Sequence, residues 1–234
     1  MPKQRLLVAS IRRATFALSA ACVAGWMSSC TAAVPPASPT HLASIQSAVT
    51  CPAPSAHTAV INPLRTFSVA PYTVIKHNVG YCAYVDTSHG IISVRLRPEF
   101  APRAVNDFVY LAQHGFYDGL SVYQVCPDTA GKACPTQASL AIAGDPTSTG
   151  SGGPGYTLAA DPVVGKYLFG AVAMYGTNPA TIGSQFFMST GDSSGLGRRY
   201  DIFGQVTDGI PALAELRKGD TIVWIAIAVT APEP

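Results

Sequence analysis

A mainly β domain with two α-helices is the fold class the sequence predicts, and three observations predict it. Short runs rich in branched and aromatic residues recur between clusters of Gly, Pro, Asn, Asp and Ser, the pattern of strands and turns. Two stretches, opening near Pro102 and Pro211, pair a first-turn proline with a closing glycine, as helices do. Apolar residues make up 48% of the 234-residue chain and charged ones 12%, about half the usual share, so one compact core is expected.

In chain order, residues 1–30 have a basic beginning and an apolar run from Ala14 to Met27, the make-up of a secretory signal. Arg12-Arg13 with Phe16 only partly matches a twin-arginine signal, the Phe lying one place late. Met27-Ser28-Ser29-Cys30 is similar to a lipobox with Met in place of Leu, so Cys30 is expected to carry a lipid anchor; plain cleavage and release is the rival. Residues 31–75, with Pro35-Pro36, Pro39, Pro52 and Pro54 among many Ala, Ser and Thr, read as an extended stalk that cannot order itself. The third domain, 76–234, is the globular part.

Within it, residues 81–86 and 91–96 form a hairpin around Thr87-Ser88-His89-Gly90. Pro102 opens a helix whose Val105, Phe108, Leu111 and Ala112 share one apolar face, and Gly115 stops it. Strands at 121–125 and 140–143 flank an insertion, 128–137. Residues 170–174 and 185–188 read as two more strands, with an irregular loop of Gly176, Asn178-Pro179 and Gly183 between them. A second helix spans 208–218, and a strand at 221–229 closes the chain, too short for a membrane span.

Charge and cysteine limit the functions open to this chain. The net charge of +2 includes Lys3, Arg5, Arg12 and Arg13, so removing the first 30 residues leaves −2 and no basic patch for nucleic acid. Cys22 and Cys30 belong to the signal; Cys51, Cys82, Cys126 and Cys134 remain, an even number suited to an exported chain. Of the three pairings, the expected one joins Cys126 to Cys134 within the insertion and Cys51 to Cys82 across the stalk. Zinc is the rival, but His41, His57, His77, His89 and His114 are scattered, so no metal is expected.

The organising stretch is 170–188. A strand starting at Gln185 sends the Phe186 and Phe187 rings to opposite faces, one into a core and one to a groove beside the Gln185 amide. That is a site for an apolar residue flanked by peptide backbone. The motifs Gly115-Phe116-Tyr117-Asp118-Gly119-Leu120, Gly144-Asp145-Pro146, Gly152-Gly153-Pro154-Gly155-Tyr156, Gly183-Ser184-Gln185-Phe186-Phe187 and Tyr200-Asp201-Ile202-Phe203-Gly204 stand in this order. Together they resemble the cyclophilin family of peptidyl-prolyl cis-trans isomerases from about residue 82 to 229.

The resemblance implies a closed eight-stranded antiparallel barrel with a helix at each end, and prolyl isomerisation without cofactor. It places Phe187, Met174, Leu140 and Leu196 around a proline pocket, Gln185 and the main chain near Gly176 on the substrate backbone, and Tyr200 on one wall. Departures from the family pattern are several. Gln124 stands at the catalytic arginine position, Ser139 replaces a pocket Phe, Ile142 a Gln, Gly176 an Asn, and Gly195 a Trp that some relatives carry. A neutral donor is weaker than a charged one, so a weakened isomerase is expected.

Two decoys are set aside. Gly191-Asp192-Ser193-Ser194-Gly195 fits a nucleophile pattern, but no His accompanies it, and Gly150 to Gly155 lacks the Lys of a phosphate cradle. Two readings remain: an exported isomerase acting on proline-containing segments of secreted chains, or a non-catalytic module of the same fold that binds such segments or a protein partner. In either, a membrane tether through Cys30 and a monomeric state are expected.

Overall fold

The computed structural model describes residues 51–127 and 138–230. Expectations for the signal segment, Cys30, the upper stalk, Cys134 and the insertion with Lys132 lie outside the described residues.

Strands β1 (Gly80–Thr87) and β2 (Gly90–Leu96) form the expected hairpin, Thr87 facing Gly90. The Thr87 hydroxyl donates to the Gly90 carbonyl at 2.8 Å and accepts the His89 amide, an internal staple of the turn. Helix α1 (Pro102–Gln113) buries Val105, Phe108, Leu111 and Ala112. It stops at Gly115, whose φ of +66° and lack of a Cβ let the Val60 side chain approach. Then follow β3 (Gln124–Cys126), β4 (Leu140–Ala143), β5 (Leu158–Ala159), β6 (Ala171–Met174), β7 (Thr181–Ile182), β8 (Phe186–Ser189), β9 (Ile202–Asp208), α2 (Ile210–Glu215) and β10 (Ile222–Thr230). Helix α2 is shorter than expected, because Asp208 completes β9 and Gly209, at φ +80°, turns the chain against the Ile91 carbonyl.

Eight strands make one antiparallel sheet in the order β10-β1-β2-β9-β6-β8-β4-β3, and β5 pairs with β7 apart from it. The sheet is curled rather than a closed barrel, which corrects the expectation. Its edge strands β3 and β10 are not laddered together. Instead 119–122, ahead of β3, and 219–222, running into the first residue of β10, exchange backbone hydrogen bonds around a single bridge, Ser121 to Thr221. Those bonds displace β3 from the predicted 121–125 to its observed place.

Register sorts the side chains into two faces. Val172, Met188 and Ala141 lie side by side on β6, β8 and β4, as do Met174, Phe186 and Ala143. These join one cluster with residues of β1, β2, β9, β10 and both helices, so this is the inner face. Ala173, Phe187, Ile142 and Gln124 form the alternate row across β6, β8, β4 and β3, and the first three join a second, outer cluster.

Residues 51–75, expected as the lower stalk, are extended and without regular structure, yet they pack on the domain. Cys51 is bridged to Cys82, with Cα atoms 5.7 Å apart. The Tyr84 hydroxyl donates to Pro52, and His57 lies 5.0 Å from the Trp224 ring. Arg65 donates to the Phe116 and Asp118 carbonyls, Phe67 is buried in the core, and Asn106 accepts the Val74 and Ile75 amides. The physical reason is that a strap lacking internal bonds is ordered by a host that satisfies its polar groups. Cys126 is also disulfide-bonded; its expected partner, Cys134, lies outside the described residues.

Candidate functional site

The outer face of β3, β4, β8 and β6 carries most of the expected site residues. Phe187 is fully buried there, with Leu140 and Leu196 in the same cluster and Tyr200 packed against it. Three tyrosines surround its ring, with centroids 5.7 Å away for Tyr200, 5.8 Å for Tyr167 and 6.4 Å for Tyr175. Tyr175 and Tyr200 also stack on each other at 5.4 Å and 34°. Both are half-buried and meet Phe187 at 82° and 83°, the edge-to-face packing that aromatic quadrupoles favour.

Tyr167 is fixed from below. Its hydroxyl donates to the Tyr200 carbonyl at 2.7 Å and accepts the Tyr200 and Arg199 amides. Burial raises the Tyr167 and Tyr200 phenols above their ordinary pKa, so both stay neutral donors rather than phenolates at pH 7.

Gln185 sits at the start of β8, where Tyr175 donates its amide to the Gln185 carbonyl at 2.8 Å. Its side chain is buried and already bonded at both ends. The Tyr123 hydroxyl donates to Oε1 at 2.5 Å, and Nε2 donates to the Gly152 carbonyl at 2.7 Å. Burial, with Tyr175, Asp145 and Tyr200 nearby, pushes the Tyr123 phenol far up, so it remains a donor. Gln185 thus ties the glycine loop to β8, and that tie uses one of its two amide N–H groups.

The glycine loop wraps its own carboxylate. Asp145 accepts the amides of Thr147, Thr149, Gly150 and Gly152. Burial works to raise its pKa, but those bonds outweigh it and hold the carboxyl below the usual range. Gly144, at φ +88°, runs so close to β8 that a Cβ would strike the Ser184 carbonyl. Loops 150–157 and 175–185 then bound a cleft of about 160 Å³, with Gly176 and Gln185 in its wall.

Gln124 lies on the same face, two strands from Phe187, a lateral step of about 10 Å at ordinary strand spacing. It is half-buried, and its Nε2 donates to the Cys126 sulfur at 3.4 Å, a soft acceptor. Ser139 borders the cluster, donating its amide to the Ser193 hydroxyl and accepting from it. Ser193 is therefore a buried loop staple, which disposes of the hydrolase pattern.

Met174 is the expected residue that the structure does not bring here. It pairs with Phe186 and belongs to the inner core. Strand parity gives the reason: in β6, Ala171 and Ala173 face outward, so Tyr175 follows them while Met174 faces inward. The same parity would have identified Tyr175 from the sequence. Tyr123 and Tyr167 carried no comparable signal, since their roles rest on contacts far along the chain. Among the described residues, no cluster of His, Cys, Asp and Glu is placed to hold a metal ion.

With this geometry in hand, the likenesses to known proteins are specific. A family model described as "Cyclophilin type peptidyl-prolyl cis-trans isomerase/CLD" matches residues 82–229. A peptidyl-prolyl cis-trans isomerase of Helicobacter pylori is 32% identical over 167 residues, covering 70% of this chain and 94% of the relative. Peptidyl-prolyl cis-trans isomerase B of Bacillus subtilis is 34% identical over 138 residues, covering 58% and 90%. Among solved structures, a cyclophilin-type isomerase of Cryptosporidium parvum superposes with a TM-score of 0.55 at 23% identity, over 67% of this chain and 99% of that one. A second structure of it, in the presence of the dipeptide Ala-Pro, gives 0.50 at 24%, over 65% and 99%.

Proposed function

Because the chain belongs to the cyclophilin-type peptidyl-prolyl cis-trans isomerase family, we propose that it isomerises X-Pro bonds in exported chains, slowly, with Gln124 at the catalytic position. Rotation about an X-Pro bond must break amide conjugation, a barrier of about 18–20 kcal/mol. No bond to the protein forms. What lowers the barrier is a gripped proline ring, a held flanking backbone, and a donor to the amide nitrogen as its lone pair localises.

The outer face supports each part of this reading. Phe187, Leu140 and Leu196 form an apolar floor for the ring. Gln185 has one N–H left, and the main chain around Gly176 borders the cleft beside it. Gln124 offers a neutral N–H on the Phe187 side of the sheet, and it carries the proposal of low rate. Losing a strong transition-state donor costs about 10²–10³ in rate at comparable sites. Export is supported by the segment 1–30 and by the Cys51–Cys82 bridge, since disulfides persist in oxidising compartments. Cys30 remains the proposed lipid attachment point.

Exchange NMR on a short Ala-Pro peptide tests the rate. The native chain should run about 10²-fold below a cyclophilin that carries arginine at the matching position. Gln124→Arg should recover part of the gap, and Gln124→Arg with Ser139→Phe more than the two single gains combined. Native activity equal to the arginine-bearing relative would overturn the assignment of Gln124. No catalysis with retained peptide binding would favour the non-catalytic module, the reading that Gln124 and Ser139 themselves suggest.

A further inference from the structure

Tyr175 closes the apolar floor, and that closure bears on which proline segments enter. The floor residues Phe187, Leu140 and Leu196 are only 0%, 3% and 5% exposed. Register places Phe187 on the outer face with no further strand above it, so its cover comes from side chains. Tyr167 supplies the lower part and is pinned by three hydrogen bonds. The outer part is Tyr175 stacked on Tyr200, both half-buried, the rings 5.4 Å apart.

Tyr175 is the one of the pair that is followed directly by a glycine. Its amide is held by the Gln185 carbonyl, so its backbone is fixed one residue beyond β6. Gly176 follows it at once, at the head of an exposed loop, and a Cβ added there would meet nothing nearer than 3.7 Å. A change of χ1 would lift the ring off Phe187 and Tyr200 without disturbing a backbone hydrogen bond.

We propose that Tyr175 is the specificity-determining residue of this site, a ring that must part from Tyr200 before a proline can reach Phe187. The proposal rests on the groove reading given above. Parting the rings loses one aromatic contact and bares two faces. A segment with an aromatic residue beside its proline replaces that contact with its own ring; a segment with alanine there does not. The favoured ligand is therefore an aromatic-Pro segment.

Titration of the full chain with Ala-Pro and Phe-Pro tetrapeptides tests this, in native protein, Tyr175→Ala and Tyr200→Phe, each checked by thermal melt. Native protein should prefer Phe-Pro. Tyr175→Ala should bind Ala-Pro about fivefold more tightly and gain less on Phe-Pro, so that the preference collapses. Tyr200→Phe keeps the stack and should keep the preference. Unchanged or weaker Ala-Pro binding in Tyr175→Ala, or an equal gain on both peptides, overturns the proposal while leaving the groove in place. Failure of every protein to bind either peptide overturns the proposal and the groove reading together.

Discussion

Phe186 and Phe187 are adjacent in β8 and both fully buried, but the material that buries them differs. Phe186 meets Phe108 and Tyr117 edge-on, at 5.4 and 5.5 Å, within a cluster fed by both helices and nearly every strand. Phe187 lies under three tyrosines, two of them half-exposed. Backbone elements cover the first; rotatable side chains cover the second. Equal burial therefore does not mean equal resistance to opening. A strand with one face in the core and one under movable rings can hold the fold and still receive a ligand.

The largest expected effect separates the two rings. Phe186→Ala should cost about 3–5 kcal/mol, read as a drop in melting temperature, with peptide affinity of the folded fraction unchanged. Phe187→Ala should abolish Ala-Pro binding whatever its stability cost. Retained affinity there would erase the distinction.

Next comes the strap. Cys51 and Cys82 are 31 residues apart, and closing such a loop restricts the unfolded chain by about 3–4 kcal/mol. The double Cys→Ser variant should melt lower by a corresponding amount and bind peptide normally. A loss of peptide binding at full folding would tie the strap to the groove instead.

Asp107 gives a pH test of the inner face. It is fully buried on α1, accepts the Tyr156 hydroxyl at 2.7 Å, and burial raises its pKa to about 7, the Tyr156 bond offsetting only part. Its other oxygen and the neighbouring Tyr117 hydroxyl have no hydrogen-bond partner among the described residues. The folded-state pKa is raised, so the folded chain holds a proton that the unfolded chain releases. Its contribution is full below about pH 4 and is lost as pH rises to about 7, on the order of 4 kcal/mol in all. Asp107→Asn should flatten that slope in chemical denaturation at stepped pH. An unchanged slope would place the titration elsewhere.

The smallest effect concerns Gln185. Tyr123→Phe leaves the Gln185 Oε1 without its 2.5 Å donor, at a cost of about 1–3 kcal/mol if water stays out and less if it enters. Peptide affinity should fall with it, because the glycine loop is tied to β8 through that amide. A change in stability with affinity intact would restrict the network to a structural role.

What could be read in advance follows the range of the forces. The hairpin, α1 and the central strands were legible because alternation, a first-turn proline and a closing glycine act within a few residues. Parity placed Phe187 on the face away from Phe186; the same rule, counted from Ala171, turns Met174 inward, against its expected place in the pocket. The curl of the sheet was harder, since 119–122 meets 219–222 across a hundred residues. So was the strap, whose order comes from Asn106, Asp118 and Cys82 rather than from its own composition. Strand β9 carried a family motif but no clear boundary, and the two-residue β5 and β7 were too short to leave a pattern.

Mapping where a proline peptide lands tests the central claim most directly, because the molecule offers a second and larger opening. A cleft of about 790 Å³ lies between the strap and the start of α1, lined by Lys76, His77 and Arg103 among others. Chemical-shift changes in the isotope-labelled chain, on titration with an Ala-Pro peptide, distinguish the two. The outer-face account predicts changes at Gln124, in 150–156, in 175–187 and at Tyr200. Changes gathered around Lys76 and Arg103, with Phe187 and Tyr175 unmoved, would contradict it.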